Sequence, residues 1–168
     1  MKKIILLFAA FIMANISFSQ DAESYFKTGQ QLKDKEDYKG AIDAYTKAVE
    51  LDPKHINALL QRAFCNNAQG NYDACVADYT AILANRPDHK FSHLSRGTAY
   101  YKLKKYKEAL ADFNRVIELD PENQEAYNNR GKVKKETGDF DGACKDWNKS
   151  KKLGNDEAKI IIKNNKCK

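Results

Sequence analysis

A sixteen-residue phrase recurs along this chain at intervals of 34 residues. Its copies are YKGAIDAYTKAVELDP, YDACVADYTAILANRP, YKEALADFNRVIELDP and FDGACKDWNKSKKLGN, which begin at Tyr38, Tyr72, Tyr106 and Phe140. The three prolines of the chain keep the same spacing, at Pro53, Pro87 and Pro121. Such a period indicates an array in which each copy buries its apolar face against the next copy. The repeat therefore favours a stacked fold over one globular core.

Each repeat predicts two helices joined by a tight turn, because proline can end a helix and a second break falls about midway. The midway breaks are Glu36-Asp37, Gly70-Asn71, Lys104-Lys105 and Gly138-Asp139. Small residues recur where the two helices must approach closely, at Gly29, Ala63, Gly97 and Gly131 in the first helix and at Ala41, Cys75, Ala109 and Ala143 in the second. The aromatic residues expected to fill the space beside them are Tyr45, Tyr79, Phe113 and Trp147.

At these positions the chain resembles the tetratricopeptide repeat family, whose 34-residue helical hairpins carry a small residue at position 8, Ala at 20, an aromatic at 24 and Pro at 32. The resemblance implies an all-α fold, a right-handed superhelix (α-solenoid) of four hairpins at residues 22–55, 56–89, 90–123 and 124–157. Asn155 stands where the fourth proline is expected, and no full repeat follows it. Residues 158–168, which include Ile160, Ile161 and Ile162, are therefore predicted to form a capping helix.

An Arg at position 7 and an Asp at position 23 occur together in the second, third and fourth repeats. The pairs are Arg62 with Asp78, Arg96 with Asp112, and Arg130 with Asp146, whereas the first repeat has Thr28 and Ala44. Both positions turn toward the preceding repeat, which the first repeat lacks. We therefore predict ion pairs within each hairpin, half-buried against the second helix of the preceding repeat. The alternative is exposed charges that recur only through duplication.

The four cysteines allow for disulfides if the chain is exported. Cys65 and Cys75 fall on different faces of their helices and are interpreted as small core residues. Cys144 lies on the flank that meets the capping helix, and Cys167 faces back toward it. A bridge between Cys144 and Cys167 is predicted, with two free thiols as the alternative.

The N-terminal residues 1–19 have the pattern of a secretory signal peptide: Lys2 and Lys3, then the apolar run IILLFAAFIMA, then short polar and small residues. Cleavage is expected between Ser19 and Gln20. The residue directly after that point is Gln20 and not a cysteine, so a lipid anchor is not expected. The sequence therefore predicts a periplasmic or secreted protein without a membrane span after cleavage, and a retained N-terminal anchor is the alternative.

The formal net charge is +6, but acidic residues alternate with the lysines along the chain. This mixture favours solvated helix faces over a nucleic-acid surface. No Gly-rich phosphate loop, G-x-S-x-G motif or metal-ligand spacing of His, Cys and carboxylates stands out. His89 and His93 are four residues apart, but one is placed in a linker and the other in a core position. No enzyme activity, cofactor or metal is predicted.

Binding is expected on the concave wall that the first helices of such an array line. The residues predicted to face this groove are Phe26, Gln30, Asn57, Leu60, Phe64, Asn67, Phe91, Leu94, Thr98, Tyr101, Asn128 and Lys132. Exposed apolar surface of this kind marks an interaction site. The alternative is that some of these side chains pack against one another.

Members of the family that grip C-terminal carboxylates use a clamp of Lys, Asn and Arg, but the corresponding positions here hold Phe26, Gln30, Gln61, Phe91 and Ser95. We therefore expect a protein or peptide segment with apolar anchors as the partner. The predicted function is a non-enzymatic binding scaffold of the cell envelope, with a monomer favoured. The alternative is a structural subunit of an envelope or secretion assembly that works by self-association.

Overall fold

The computed structural model describes residues 20–167, and within them the chain is a succession of helices without strands. The predicted signal peptide at residues 1–19 lies outside the described residues. The helices are α1 (20–34), α2 (Tyr38–Leu51), α3 (Ile56–Ala68), α4 (Tyr72–Asn85), α5 (Lys90–Lys102), α6 (Tyr106–Leu119), α7 (Gln124–Glu136), α8 (Phe140–Lys152) and α9 (Asp156–Asn164). None of these helices is long and apolar enough to cross a bilayer. The expected all-α hairpin fold is confirmed.

The chain divides into two compact units, one ending at Ile82 and the other beginning at Leu83. The boundary falls within α4. The first contains α1 to α3 and most of α4, and the second contains α5 to α9.

Each hairpin turn contains one residue with a left-handed backbone. These residues are Glu36, Gly70, Lys104 and Gly138, with φ of 61°, 75°, 58° and 88°. A side chain is disfavoured in this region, so glycine is the residue that suits it best. The third hairpin and the first hairpin use charged residues there instead.

The core of the first unit is built where α2 packs against α1 and α3. Tyr45 is fully buried and lies with Phe26, Ala58 and Cys65 in one apolar cluster. A Cβ placed on Gly29 would lie 2.5 Å from the Tyr45 ring, so the small residue lets the ring fit against α1.

The core of the second unit repeats this arrangement. Phe113 and Val116 of α6 are buried with Ala126 and Val133 of α7. In the fourth hairpin the buried Trp147 lies against Gly131 and donates its indole N–H to the carbonyl of Asn128 at 3.2 Å. The spacing of small and aromatic residues in the sequence is thus realised as close helix contact.

The linkers between hairpins start the next helix with a side-chain cap. Prolines stand two residues after α2, α4 and α6, and the caps of α3, α5 and α7 are His55, His89 and Asn123. Each accepts a hydrogen bond from the backbone N–H three residues further on. This bond satisfies one of the donors left unpaired at a helix N-terminus.

The last helix begins earlier than the period requires. The capping helix is predicted to span residues 158–168, but α9 begins at Asp156. Asn155 is its N-terminal cap residue, because its side chain accepts a hydrogen bond from the Ala158 N–H at 3.0 Å. Gly154, with φ of 104°, makes a shorter connection than the proline linkers. Ala158 of α9 is completely buried, and a disulfide joins Cys144 of α8 to Cys167 just after α9.

Candidate functional site

The first unit presents an exposed aromatic side chain on α3. Phe64 is 51% exposed, and its ring meets the edge of the Tyr38 ring at a centroid distance of 6.4 Å. The ammonium of Lys33 lies 5.8 Å from the centre of the Phe64 ring and donates to Gln61 Oε1 at 2.9 Å. This surface combines an apolar ring with a positive charge held in place beside it.

The second unit presents an exposed phenylalanine near the start of α5. Phe91 is 57% exposed, and its ring lies edge-on to the His89 ring at 6.4 Å. Further along α5, Tyr101 is partly buried and its ring lies 6.1 Å from that of Tyr106. Burial, with the nearby Glu136 and Tyr106, raises the pKa of Tyr101, so its hydroxyl stays protonated and can donate a hydrogen bond.

A small cavity of about 140 Å³ adjoins Tyr101 in this unit. Its walls come from α5, α7, α8 and the C-terminal end of the chain, and its lining residues are Tyr101, Lys132, Lys135, Glu136, Trp147, Ile161 and Asn165. Lys132 lies 2.7 Å from Glu157 of α9, so its charge is neutralised there. The cavity is thus lined by two aromatic rings and by charged side chains of both signs.

The other predicted groove residues divide by exposure. Gln30, Asn57 and Asn67 are exposed, whereas Leu60 and Thr98 are partly buried. Thr98 donates its hydroxyl to the carbonyl of Leu94 within its own helix. The three exposed amides remain candidates for holding a peptide backbone.

The prediction of a groove position is wrong for three residues, because their side chains lie in the interior. Phe26 is 8% exposed and packs against the rings of Tyr45 and His55. Leu94 is 9% exposed and belongs to the core of the second unit.

Asn128 is 1% exposed and donates to Glu157 Oε2 at 2.6 Å, while its Oδ1 is buried without a hydrogen-bond partner. All three hold the fifth position of their repeats. That position points toward the following helix rather than into the open face.

Sequence reasoning did not assign a groove role to Gln61 or Tyr38, which together with Lys33 shape the surface around Phe64. Gln61 stands at the sixth position, one residue beyond the buried fifth position. A rotation of one residue, or about 100°, is enough to bring a helical side chain from the interior to the open face. That offset is the signal that identifies Gln61.

The structure brings each predicted Arg and Asp together inside its hairpin. Asp78, Asp112 and Asp146 are buried, and each accepts two or more hydrogen bonds from Arg62, Arg96 and Arg130 respectively.

Arg62 also donates to Thr46 of α2, and Arg130 to Asn114 of α6, at 3.1 and 2.7 Å. These two guanidinium groups therefore tie the second hairpin to α2 and the fourth hairpin to α6. The hydrogen bonds that Arg96 and Arg130 donate to Asp112 and Asp146 raise the pKa values of these two arginines, so both stay charged.

The third pair has an additional member. His93 Nδ1 lies 2.8 Å from Asp112 Oδ1, and His93 Nε2 lies 2.8 Å from the carbonyl oxygen of Pro87. His89 instead accepts from the Ser92 N–H, and burial followed by the charges of Arg86 and His93 lowers its pKa.

The residues that sequence analysis weighed as metal ligands do other work. The described residues 20–167 contain no group of three or more His, Cys, Asp or Glu side chains that could hold a metal. His89 caps a helix and His93 joins an ion pair.

Cys65 and Cys75 are free and buried, and Cys144 is bridged to Cys167 with a Cα–Cα distance of 5.5 Å. The two cysteines are 23 residues apart in the sequence. A disulfide that closes a loop of that length stabilises a fold by about 3 kcal/mol.

Comparison with known structures gives the same fold. MamA (residues 41 to the end) from Desulfovibrio magneticus RS-1 is 21% identical, with a TM-score of 0.74 over 79% of this chain and 75% of that one. The first TPR domain of Spaghetti (RPAP3), solved with the HSP90 peptide SRMEEVD, is 29% identical, with a TM-score of 0.64 over 71% and 94%. The Arabidopsis OM64 TPR domain is 24% identical, with a TM-score of 0.63 over 71% and 98%.

A search of curated protein sequences gave no match. Two family models match the sequence, one described as tetratricopeptide repeat over residues 32–94 and one as TPR repeat over residues 97–138. The matched ranges cover most of the four helical hairpins. The chain belongs to the tetratricopeptide repeat family.

Proposed function

We propose that this protein is a non-enzymatic scaffold that binds a protein or peptide segment through the exposed face of its first helices, in the periplasm or outside the cell. Proteins of this repeat family are generally scaffolds for protein–protein interaction. The observation that carries the proposal is the exposure of Phe64 and Phe91, each more than half accessible on a first helix. Large exposed apolar side chains at such a surface serve as anchors for a partner.

The ligand is a peptide segment with apolar anchors rather than a free C-terminal carboxylate. The RPAP3 domain is bound to a peptide of HSP90. Here the clamp positions hold Phe26, which is buried, and Gln30, Gln61, Phe91 and Ser95, none of which is cationic. Asn57 and Asn67 are exposed amides on α3 that can hydrogen-bond a peptide backbone.

The proposed location outside the cytoplasm rests on two features. One is the signal-peptide pattern of residues 1–19. The other is the Cys144–Cys167 disulfide, since such bonds persist in oxidising compartments. Fractionation of cells that express the tagged protein tests the location, and recovery in the cytoplasm would contradict it.

Selection from a displayed library of random peptides tests the binding surface. Peptides enriched on the protein should lose at least about tenfold in affinity for Phe64→Glu or Phe91→Glu, because a carboxylate replaces an apolar anchor. Phe140→Glu is the matched control, since Phe140 is an exposed phenylalanine on α8, a second helix. Circular dichroism checks that each variant is folded. Equal binding to all variants would refute the proposed surface.

A second candidate is a structural subunit that self-associates. The observation that favours it is Ile160 on α9, which is 61% exposed. Light scattering over a concentration series separates the two functions, because a scaffold that acts alone stays monomeric and a structural subunit forms a defined oligomer. Ile160→Lys should dissolve that oligomer.

A further inference from the structure

The four cysteines fall into two chemical classes. Burial raises the pKa of the Cys65 thiol, and it raises that of Cys75 to about 11. Cys75 also donates its S–H to the carbonyl of Ala63. Both thiols are closed off from solvent and poorly ionised, which makes them unreactive. Cys144 and Cys167 are bonded to each other, and both are partly exposed.

The bridge lies in the wall of an open surface cleft of about 460 Å³. The cleft is lined by Phe140, Asp141, Cys144, Lys145, Asn148, Lys166 and Cys167. Both bridged cysteines are partly exposed and line this cleft, so a nucleophile can approach the bridge through it.

The charges around the cleft favour a thiolate. Lys145 and Lys166 are both exposed and line it together with one acid, Asp141. Ammonium groups near a sulfur stabilise the thiolate form, both in an attacking reagent and in the cysteine that leaves.

We propose that the Cys144–Cys167 bridge is a site of thiol–disulfide exchange with a dithiol reductant, and that its reduction releases α9 from the fourth hairpin. In the first step a thiolate of the reductant attacks one sulfur of the bridge. An S–S bond forms between them, and the other cysteine leaves as a thiolate that takes up a proton. In the second step the other thiol of the reductant, as a thiolate, attacks this mixed disulfide. The reductant becomes a disulfide, and Cys144 and Cys167 have gained two electrons and two protons.

Besides the bridge, α9 is held to the fourth hairpin by Ala158, by Glu157 and by the partly buried Ile161 and Ile162. It is nine residues long, shorter than isolated helices that are stable in water. Its buried side chain is that of Ala158, a single methyl group. Glu157 contacts Asn128 and Lys132 of α7, but the carboxylate is more than half exposed. Ile161 and Asn165 line the cavity of about 140 Å³, so this part of α9 is not closely packed against the hairpin.

Release of α9 changes the binding face of the second unit. Glu157 leaves with α9, so Lys132 loses the partner that neutralises it. Asn128 is uncovered at the same time, because its amide donates to that carboxylate. The exchange step itself does not depend on the function proposed above, whereas this effect on ligand binding does.

The first test measures access to the bridge. The oxidised protein is treated with dithiothreitol, quenched with acid, alkylated and weighed by mass spectrometry, once under native conditions and once in denaturant. We expect native reduction of this one bridge at a rate within about 100-fold of that in denaturant, because no unfolding is needed. A native rate slower than this would overturn the proposal.

Charge variants test the cleft. Lys145→Gln with Lys166→Gln should slow native reduction by about threefold, since two ammonium groups are lost near the sulfurs. The matched control is Lys151→Gln with Lys152→Gln, two exposed lysines at the end of α8 that do not line the cleft. An equal rate in all three proteins would overturn the role given to Lys145 and Lys166.

The second test follows α9 by amide hydrogen exchange. On reduction the amides of Asp156–Asn164 should exchange about 100-fold faster, while those of α7 keep their protection. The variant Cys144→Ser with Cys167→Ser should match the reduced protein, and reduction of the natural chain gives the same readout if that variant does not fold. Unchanged protection of α9 after complete reduction would overturn its release.

Discussion

The first and fourth hairpins are built alike inside but are joined to their neighbours differently. In both, a glycine of the first helix lies against a buried ring of the second: Gly29 against Tyr45, and Gly131 against Trp147. Only the fourth adds an ion pair, in which Arg130 and Lys134 surround the buried Asp146.

The contacts of Arg130 explain this difference. Its third hydrogen bond goes to Asn114 of the preceding helix α6. In the first hairpin the corresponding residue is Thr28, whose hydroxyl bonds to the carbonyl of Ser24 in its own helix. The small and aromatic residues therefore build a hairpin, whereas the Arg–Asp pair fixes how one hairpin stacks on another.

The largest effect is expected for Asp146→Ala, which places the alanine of the first hairpin in the fourth. Two cations lose their buried partner, so we expect the free energy of unfolding to fall by about 3 kcal/mol. Chemical denaturation measures it. Thr28→Ala in the first hairpin should cost less than about 0.5 kcal/mol, since Thr28 is exposed. Similar losses in the two variants would break the comparison.

A double variant sharpens the same point. Arg130→Thr together with Asp146→Ala removes both members of the pair, so no buried guanidinium is left without its acid. We expect its loss of unfolding free energy to be smaller than the sum of the two single losses by about 1 kcal/mol. Strict additivity would mean that the two residues act independently.

The next effect concerns the contact between a glycine and a buried ring, which the first and fourth hairpins share. Gly29→Ala and Gly131→Ala should each lower the free energy of unfolding by about 2 kcal/mol, because the new methyl would lie 2.5–2.6 Å from a buried ring. Thermal unfolding followed by circular dichroism measures both. A large loss in only one hairpin would contradict the claim that their internal packing is equivalent.

A smaller effect is expected in the turns. Glu36 of the first hairpin has φ of 61°, where Gly138 of the fourth has 88°. Glu36→Gly should therefore raise the free energy of unfolding by about 0.5 kcal/mol, and Gly138→Ala should lower it by about 1 kcal/mol. Changes of the same sign in both variants would argue against backbone strain as the cause.

The smallest effect is a pH dependence at the outer side of the fourth hairpin. The hydrogen bond from Lys132 lowers the pKa of Glu157, against the opposing effect of its partial burial. A carboxylate with a lowered folded-state pKa adds stability above its ordinary pKa of about 4.5 and loses it as the pH falls through the lowered value.

In the chain with the Cys144–Cys167 bridge intact, the difference in unfolding midpoint between Glu157 and Glu157→Gln should therefore be present at neutral pH and vanish on acidification. Asp43→Asn is a control, since Asp43 is an exposed acid of the first hairpin. A difference that grows on acidification would reverse the sign of this coupling.

Much of the candidate binding face could be predicted from the sequence. The rotation of each first helix about its own axis, which decides which side chains face outward, could not. Phe64 and Phe91 occupy the exposed side as the helical period predicts. Phe26, Leu94 and Asn128 do not, because the fifth position faces the next helix, and that depends on how hairpins pack. A difference of one helical step of about 100° separates a groove residue from a core residue.

The local sequence specifies the hairpins, since the spacing of glycine, alanine, aromatic and proline residues sets where helices form, turn and touch. It also determined which residues pair, because Arg and Asp recur together in those repeats that follow another. The exact start of the last helix and the exposure of the cysteines follow only from the folded structure. There Asn155 caps α9 two residues early, and the bridge of Cys144 with Cys167 lies in an open cleft while the other thiols are buried. The physical reason is that exposure depends on contacts between distant residues, which local spacing does not specify.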